Sequence, residues 1–462
     1  MRIRTISVLI ILLSVGGIVI ALALQTSKIS DQPLALDKPP SYYETTDADV
    51  DLESTTEEPT NIRFTAEGCV FNTVFGEESS DSFYIYNTPQ KALSGMSDGL
   101  KWLASAQLPN GGFGAGSHSA QHIKDPHAVP ADPATTSMVA MAILRTVGLN
   151  DPEWKTPLNN AINFLISEVE NSDPNNLNIT SVTGTQIQGK LGQNIDVVMT
   201  AQFFSNLLQE KELEKNLKLK VQDVLQSCVN RIESSIDENG TVANSGWAGV
   251  LQSSFANNAL ESAQVQGINV DNEILEKTRD FNKGNVDVTD GSVKTEMGAG
   301  VVLYSVSGSS RASAKQARKA RDEVTKAKNN GLIEKDEEVS VSSLMDAGFD
   351  KEDALELSTS YQVYESAKVT AQDKKVMSGY GNNGGEEFLS FLQTGESLVV
   401  NRDHSWKNWY SDISGKLITI QNQDGSWNGH HCITSPVFCT ATCLLVLSIQ
   451  NDLKELVALG EE

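Results

Sequence analysis

Residues 99–114 read GLKWLASAQLPNGGFG, and residues 134–148, after a loop, read ATTSMVAMAILRTVG. The first stretch has the spacing of a partly polar helix that ends at a Gly-rich turn. In the second stretch, Val139, Ile143 and Val147 lie four residues apart, on one face of a helix that ends at the next glycine. Together the two stretches predict a helical hairpin with one polar and one apolar helix.

The same order of polar helix, glycine turn and apolar helix recurs along the chain about six times. Further apolar segments occupy residues 197–208, 247–263, 298–308 and 438–449. Glycine turns lie at residues 109–114, 237–242, 289–293, 381–386 and 423–427. Single hairpins of this kind cannot bury their apolar faces alone, so the array must close or be capped. Strand signals are few, and the sequence predicts an all-α fold.

Two of the turns share one pattern, a Gln followed four residues later by a Gly and two residues after that by an aromatic residue. The pattern comprises Gln107, Gly111 and Phe113 in the first copy, with Trp102 upstream, and Gln421, Gly425 and Trp427 in the last. It resembles the Gln-Trp repeat of the squalene-cyclase and protein-prenyltransferase superfamily. A structural role is expected, because Gln can bond backbone groups freed at a helix end while the ring covers the joint between hairpins.

The resemblance implies an α/α toroid over residues 91–452, with apolar helices inside and polar helices outside, followed by an acidic tail at 453–462. The acidic Asp-x-Asp-Asp and Asp-Asp-x-x-Asp motifs of the family's catalysts are missing from the sequence. Since a fold does not fix a function, the first hypothesis is a binding or scaffold role, with an apolar small molecule or a peptide in the toroid cavity. The alternative is an enzyme, cyclase-, lyase- or hydrolase-like, with a divergent His/Cys site at the barrel end.

Residues 428–432 read NGHHC and precede the last apolar segment. Imidazole near neutral pH suits both acid/base catalysis and metal ligation, which makes His430 and His431 candidates together with Cys432. Glu386 joins them as a fourth candidate catalytic residue, although an acid at the start of a helix is also favoured by the helix dipole. The competing interpretation is a polar turn that caps the inner helices.

The loop at residues 116–130 contributes three more histidines, His118, His122 and His127. If this loop meets the His430 turn at one end of the barrel, the histidines of both could converge on a site. These three residues and Trp427 are the candidate binding residues. No cofactor is required by the sequence, and zinc is the one that such a cluster would favour.

The cysteines allow more than one interpretation. In an oxidising compartment, neighbouring cysteines more often form a disulfide than a metal site, and Cys432 with Cys439 is the favoured pair. Unpaired packing thiols and a metal or nucleophile role are the alternatives. The chain contains five cysteines, an odd number, so at least one thiol stays free or bonds elsewhere.

The first 24 residues place Arg2 and Arg4 before an uncharged apolar run long enough to cross a bilayer. A signal anchor with a cytoplasmic N-terminus and an extracytoplasmic toroid is expected, the alternative being a cleaved signal peptide and a secreted or periplasmic product. Residues 25–90 form an acidic linker rich in Ser, Thr and Pro. The formal net charge of −24 disfavours nucleic acid as a partner.

Overall fold

The computed structural model describes residues 81–377 and 384–461. In these two ranges the chain forms α-helices joined by turns, short 3₁₀ segments and isolated β-bridges, with no strand. The all-α prediction is therefore confirmed. The predicted membrane anchor at residues 1–24, and the linker as far as residue 80, lie outside the described residues.

The α-helices of the described residues are numbered in chain order. They are α1 (Gln90–Ala106), α2 (Pro133–Val147), α3 (Lys155–Asn171), α4 (Gln186–Leu191), α5 (Ile195–Leu208), α6 (Lys215–Ser235), α7 (Gly249–Val265), α8 (Asn272–Lys283), α9 (Val302–Asn329), α10 (Val341–Asp346), α11 (Lys351–Ala371), α12 (Glu386–Val400), α13 (Trp406–Thr419), α14 (Pro436–Leu447) and α15 (Leu453–Leu459).

Six of these helices, which we call the inner helices, pack on one another in chain order. Helix α2 packs on α5, α5 on α7, α7 on α9, α9 on α12, α12 on α14, and α14 returns to α2. Every residue of α2 is buried, and α14 is buried except for its first residue. Helices α3, α6, α8 and α11, which bury one face each, pack on α2, α5, α7 and α9 respectively. The amphipathic helices therefore cover the apolar ones.

The apolar segments predicted from the sequence correspond to α2, α5, α7, the start of α9, and α14. Helix α9 continues far past the predicted end at Gly308. A Cβ atom at Gly308 would lie 2.9 Å from the Cβ of Ser254, so this glycine permits close packing of α9 on α7 rather than ending the helix. The segment expected as an acidic tail contains α15, with Leu456 and Val457 buried in the core.

The two Gln residues of the repeat motif make equivalent hydrogen bonds. The amide of Gln107 donates to the carbonyl of Gly111 in its own turn (2.9 Å) and to that of Pro157 in α3 (2.8 Å). The amide of Gln421 donates to the carbonyl of Gly425 in its own turn (2.8 Å) and to a carbonyl in α1, that of Gly95 (2.9 Å). Each Gln therefore closes its turn and binds an outer helix of the adjoining hairpin. In the last copy, this bond joins the turn after α13 to α1, the first α-helix of the described residues.

The glycine and the aromatic residue of the last copy complete this joint. Gly425 has a φ of +89°, and a Cβ atom there would lie 2.6 Å from the carbonyl oxygen of Asp98 in α1. Trp427 is fully buried, with its indole N–H donating to the carbonyl of Leu417 at 2.7 Å. Its backbone N–H donates to the hydroxyl of Thr440 in α14 at 2.9 Å. The structure thus places Trp427 in the core between helices.

Among the described residues, no single helix combines the length and the apolar composition needed to cross a bilayer. The pair Pro436–Leu447 and Ile449–Leu459, bent by 56°, meets the criterion by length and composition only.

Replacement of Gln421 by Ala should lower the free energy of unfolding by about 1–3 kcal/mol, because two carbonyls at the joint lose their donor. Urea denaturation measures this change. The matched control is Gln372→Ala, directly after α11, where the exposed amide donates to the carbonyl of Lys368 in the last turn of that helix, and its effect should stay within about 0.5 kcal/mol. Equal losses in the two variants would contradict a closing role for Gln421.

Candidate functional site

The short helix α4 contacts the N-terminal ends of several inner helices. Its start is fixed by a capping box, in which Thr185 and Gln188 exchange side-chain and backbone hydrogen bonds. The side-chain carbonyl of Gln186 accepts from the backbone N–H groups of Thr434 (2.7 Å) and Ser435 (3.0 Å), directly before α14. Helix α4 is therefore held against the turn that carries the NGHHC sequence.

A buried ion pair connects α4 to α12. The ammonium of Lys190 lies 3.0 Å from Oε1 of Glu386, and the two side chains are 6% and 0% exposed. The hydroxyl of Tyr304 in α9 donates to the same oxygen at 3.1 Å. The other oxygen of this carboxylate, Oε2, is buried and has no hydrogen-bond partner within residues 81–377 and 384–461. Oε1 of Glu386 thus accepts from two donors, whereas Oε2 accepts from none of the described residues.

Cys432 and His431 lie next to this ion pair. The Sγ atom of Cys432 is 3.8 Å from the ammonium of Lys190 and 3.0 Å from Nδ1 of His431. Cys432 has a φ of +59°, a left-handed conformation that few residues other than glycine adopt. The strained backbone directs the half-buried thiol toward the ion pair.

Two glycines at the start of α12 allow the NGHHC turn to come this close. A Cβ atom at Gly384 would collide with the carbonyl oxygen of His431, and one at Gly385 would collide with the thiol of Cys439. The N–H of Gly385 donates to the carbonyl of Ile433 at 2.7 Å. The Gly-Gly sequence before Glu386 is therefore needed to seat the turn.

Burial dominates the electrostatics of the cluster. Burial raises the pKa of the Cys432 thiol, and although Lys190 acts against this shift, the net pKa stays above the ordinary value. Burial and the neighbouring Glu386 carboxylate together raise the pKa of Tyr304. Both groups therefore stay protonated near neutral pH.

In the described residues, one group of three side chains could hold a metal ion. One ligand atom from each of Glu386, His431 and Cys432 lies within 4.8 Å of the others. A carboxylate oxygen, an imidazole nitrogen and a thiolate sulfur are the donors that Zn²⁺ accepts. Three of the four predicted catalytic residues thus lie together. The fourth, His430, is exposed and makes an edge contact with the ring of His431.

The loop at residues 116–130 does contact the NGHHC end of the fold. The ammonium of Lys124 donates to the carbonyl of Thr434 at 2.8 Å, and the hydroxyl of Thr434 donates to the carbonyl of Gln121 at 2.7 Å. The loop therefore contacts the residues that follow the NGHHC sequence, although its three histidines contribute no ligand atom to the group of Glu386, His431 and Cys432.

The three loop histidines have separate surroundings. His118 lies against Gly189 of α4, with Nδ1 3.4 Å from the amide of Gln121. His122 is exposed, and Nε2 of His127 is 2.9 Å from the carbonyl of Ser105 at the end of α1. His118 and His127 contact different neighbours and His122 is exposed, so none of the three belongs to the group of side chains that could hold a metal.

The expected disulfide between Cys432 and Cys439 is not formed, and both side chains are free thiols. Cys439 is fully buried in the first turn of α14, where its thiol donates to the carbonyl of Ile433 at 3.7 Å. Cys432 instead faces Lys190 and His431. The turn between the two cysteines holds them in different surroundings.

Lys190 and Tyr304 were not predicted as site residues. The capping-box pattern at Thr185 and Gln188 does indicate a helix start, and could have revealed α4. No sequence pattern indicates that the lysine of this helix would be buried beside an acid of α12. Tyr304 lies in a predicted inner helix, where an aromatic residue is ordinarily a packing residue.

Two buried aspartates, Asp132 and Asp196, lie where α2 and α5 begin. Asp132 caps α2 by accepting from the backbone N–H of Thr135 (2.8 Å), and it also accepts from that of Ala115 (2.9 Å). Asp196 accepts from the backbone N–H of Ala134 at 3.0 Å and from the amide of Gln188 at 2.7 Å. Burial raises the pKa of Asp132 to about 6, and burial together with the charge of Asp132 raises that of Asp196 to about 7.

Comparisons with known protein families, with characterised proteins and with solved structures gave no significant match. The function is therefore inferred from the geometry of the site.

Because the pKa values of Asp132 and Asp196 are raised, their contribution to the free energy of unfolding should decrease as the pH increases. The folded protein binds protons more tightly than the unfolded chain at these groups, so their contribution to stability is largest below the unfolded pKa of about 4 and is lost as pH rises through about 7. Asp196→Asn should therefore flatten the decline in the free energy of unfolding between about pH 5 and about pH 8.

Urea titrations at several pH values measure this slope. The control is Asp424→Asn, because hydrogen bonds to Ser426 hold the pKa of Asp424 below its ordinary value despite partial burial. That carboxyl has finished titrating below about pH 5, so its loss should shift the stability curve without changing the slope. An unchanged slope in Asp196→Asn would contradict the assignment.

The raised pKa of Cys432 predicts ordinary or weak thiol reactivity. The rate of alkylation by iodoacetamide should keep increasing as the pH rises past the ordinary pKa of a thiol, because the thiolate is the reacting form. Lys190→Met should lower the rate at each pH, since the ammonium is the group that acts against the pKa increase. Peptide mass spectrometry distinguishes Cys432 from the buried thiols. A rate already at its plateau near pH 6 would contradict this prediction.

Proposed function

We propose that the described part of the chain is an α/α toroid of the kind found in the squalene-cyclase and prenyltransferase repeat superfamily. The inner helices contact one another in succession and α14 returns to α2, which supports a closed arrangement. The bond from Gln421 to Gly95 in α1 supports the same closure, because it joins the last hairpin to the first. We further propose that residues 1–24 export the protein and tether it to a membrane, with signal cleavage as the alternative.

We propose a binding role located at the end of the toroid where the inner helices begin, rather than in its centre. Helices α7 and α12 are bridged by a hydrogen bond of 2.6 Å from the amide of Gln393 to the hydroxyl of Ser254. A second inner contact joins the hydroxyls of Ser310 and Ser397 at 2.8 Å. These side chains are buried, and an apolar ligand inserted between them would leave polar groups without partners.

The ligand that this end supports best is a divalent transition metal ion such as Zn²⁺, held by Glu386, His431 and Cys432. The buried Oε2 of Glu386, which has no hydrogen-bond partner among the described residues, is the observation that carries the proposal. A carboxylate oxygen enclosed without a donor is costly, and a cation bound beside it removes that cost. Ligand atoms around tetrahedral zinc lie about 3.3–3.8 Å apart, and the present separations, 3.0 Å between Nδ1 of His431 and Sγ of Cys432 and up to 4.8 Å in the group as a whole, need only small side-chain shifts to reach that range.

Lys190 and Tyr304 act on the ligands rather than on the metal. Both donate to Oε1 of Glu386, which fixes the carboxylate and leaves Oε2 for the ion. The ammonium of Lys190 also lies near the sulfur of Cys432, where it favours the thiolate that a metal requires. Because metal binding must displace the proton of this thiol, the affinity should fall as pH decreases.

A thiol-dependent enzyme is the second candidate function. The left-handed backbone of Cys432 and the imidazole 3.0 Å from its sulfur are features of activated nucleophiles. The raised thiol pKa favours the binding role over this alternative, because the reactive thiolate is scarce near neutral pH. Early saturation of Cys432 alkylation with pH would favour the enzyme instead.

Titration of the metal-free full-length protein with Co²⁺ tests the metal proposal. We expect one equivalent to bind with a thiolate-to-cobalt charge-transfer band in the near ultraviolet, and Zn²⁺ to abolish that band. Cys432→Ser should remove the band, and Glu386→Gln should weaken binding by about tenfold or more.

His430→Ala is the matched control for this titration, since His430 is exposed and adjacent to the proposed ligands but is not one of them. Its affinity should equal that of the unmodified protein. Equal binding in all variants, or no charge-transfer band at saturating Co²⁺, would overturn the proposal.

A further inference from the structure

A cavity of about 540 Å³ lies where inner helices end. The last residues of α2 and the residues that follow α5 form part of its wall, and residues 450–455 form another part. Met141 and Leu144 of α2 contribute apolar surface, and Tyr84 lines the cavity as well. The volume is that of a small-molecule site and far exceeds the space taken by one metal ion.

The charges around this cavity are predominantly negative. Its acidic lining residues are Asp151, Glu210, Glu212, Asp452 and Glu455, and its basic lining residues are Arg145, Lys211 and Lys454. Arg145 is 5% exposed and pairs with Glu396 at 2.7 Å and with Asp452 at 2.5 Å. The positive charge of this arginine is therefore already compensated by two carboxylates.

The backbone adds to the negative potential. Helix α2 ends at Val147 and helix α5 at Leu208, and residues next to both ends line the cavity. The carboxyl end of an α-helix carries a partial negative charge, which favours a cation placed near it. The chain as a whole, at a formal net charge of −24, attracts cations toward such a site.

An unpartnered polar atom in the wall points independently to a ligand. Gln450 lines the cavity and is 7% exposed, and its side-chain carbonyl Oε1 has no hydrogen-bond partner in the part of the chain that the structure describes. A buried carbonyl of this kind is an acceptor that lacks a donor. An ammonium or amine N–H group would supply that donor, whereas an anion would not.

We propose that this cavity binds a small aliphatic polyamine. Ammonium groups would be attracted by the carboxylates and by the helix ends, while a methylene chain would contact Met141 and Leu144. The cavity combines apolar surface with separated carboxylates. A polyamine can contact both, whereas a hydrated inorganic cation would gain nothing from contact with the apolar part of the wall. The site is separate from Cys432 and does not depend on the metal proposal.

Isothermal titration calorimetry of the full-length protein in detergent, with spermidine as the probe, tests this proposal. We expect saturable binding of one equivalent that weakens with added salt. The double variant Glu210→Gln/Glu212→Gln should weaken binding about tenfold or more, because two carboxylates of the wall lose their charge. Gln450→Met should weaken it with no change of charge.

The matched control is Glu334→Gln/Asp336→Asn, which removes the same charge from an exposed segment outside the cavity. It should leave the affinity for spermidine unchanged, and the melting temperature of each variant shows that it is folded. An equal loss in the control would mean that spermidine is attracted by the net charge alone. Equal binding of Mg²⁺ at the same charge concentration, or no saturable binding, would overturn the proposal.

Discussion

The rest of the structure depends on one arrangement, in which the inner helices begin at the same end of the fold. Asp196, in the first turn of α5, accepts from the first turn of α2, and Tyr304 near the start of α9 donates to the first residue of α12. Helix starts carry unpaired N–H groups and partial positive charge. Acidic side chains are therefore gathered at this end, where Asp132, Asp196 and Glu386 lie buried.

At the other end of the fold, where the inner helices end, the backbone needs hydrogen-bond donors instead of acceptors. There the helices present unpaired carbonyls, and the side chains that satisfy them are cations and amides. The amide of Asn451 donates to the last carbonyls of α2, and the guanidinium of Arg145 donates to the carbonyl of Leu445 in α14. The polarity of the helices thus accounts for the buried acidic side chains at one end and for the amide and guanidinium donors at the other.

The Gln-Gly-aromatic turns hold neighbouring helical hairpins in fixed positions, although the helices are short and contain many small residues. Gln107 and Gln421 make the same two hydrogen bonds in different copies, and the following glycine in each copy lets a neighbouring outer helix approach. A middle copy keeps only part of the joint. Gly240 retains its left-handed φ of +81°, while Ile236 stands in the Gln position. Apolar packing must hold that copy together in place of the Gln bonds.

The site around Glu386, His431 and Cys432 could be predicted from the sequence only in part. Lys190, Tyr304, Glu386 and Cys432 come from four separate parts of the chain, and only the packing of α4, α9 and α12 brings them together. The sequence did identify Glu386, His431 and Cys432 as candidates, the first because it opens a helix and the other two because imidazole and thiol stand side by side in one turn. It could not show that His118 and His127 contact different neighbours while His122 is exposed.

Local patterns in the sequence determined the helical class, the apolar helices and the structural role of the Gln-Gly-aromatic turns, because these follow from spacing and from hydrogen bonds within a few residues. Tertiary structure alone decided that Glu386 is paired with Lys190, that Cys432 and Cys439 stay apart, and that Gly308 lies inside a long helix. Those outcomes depend on which distant helices come into contact, and on how closely a glycine lets them approach. A one-dimensional pattern does not contain that information.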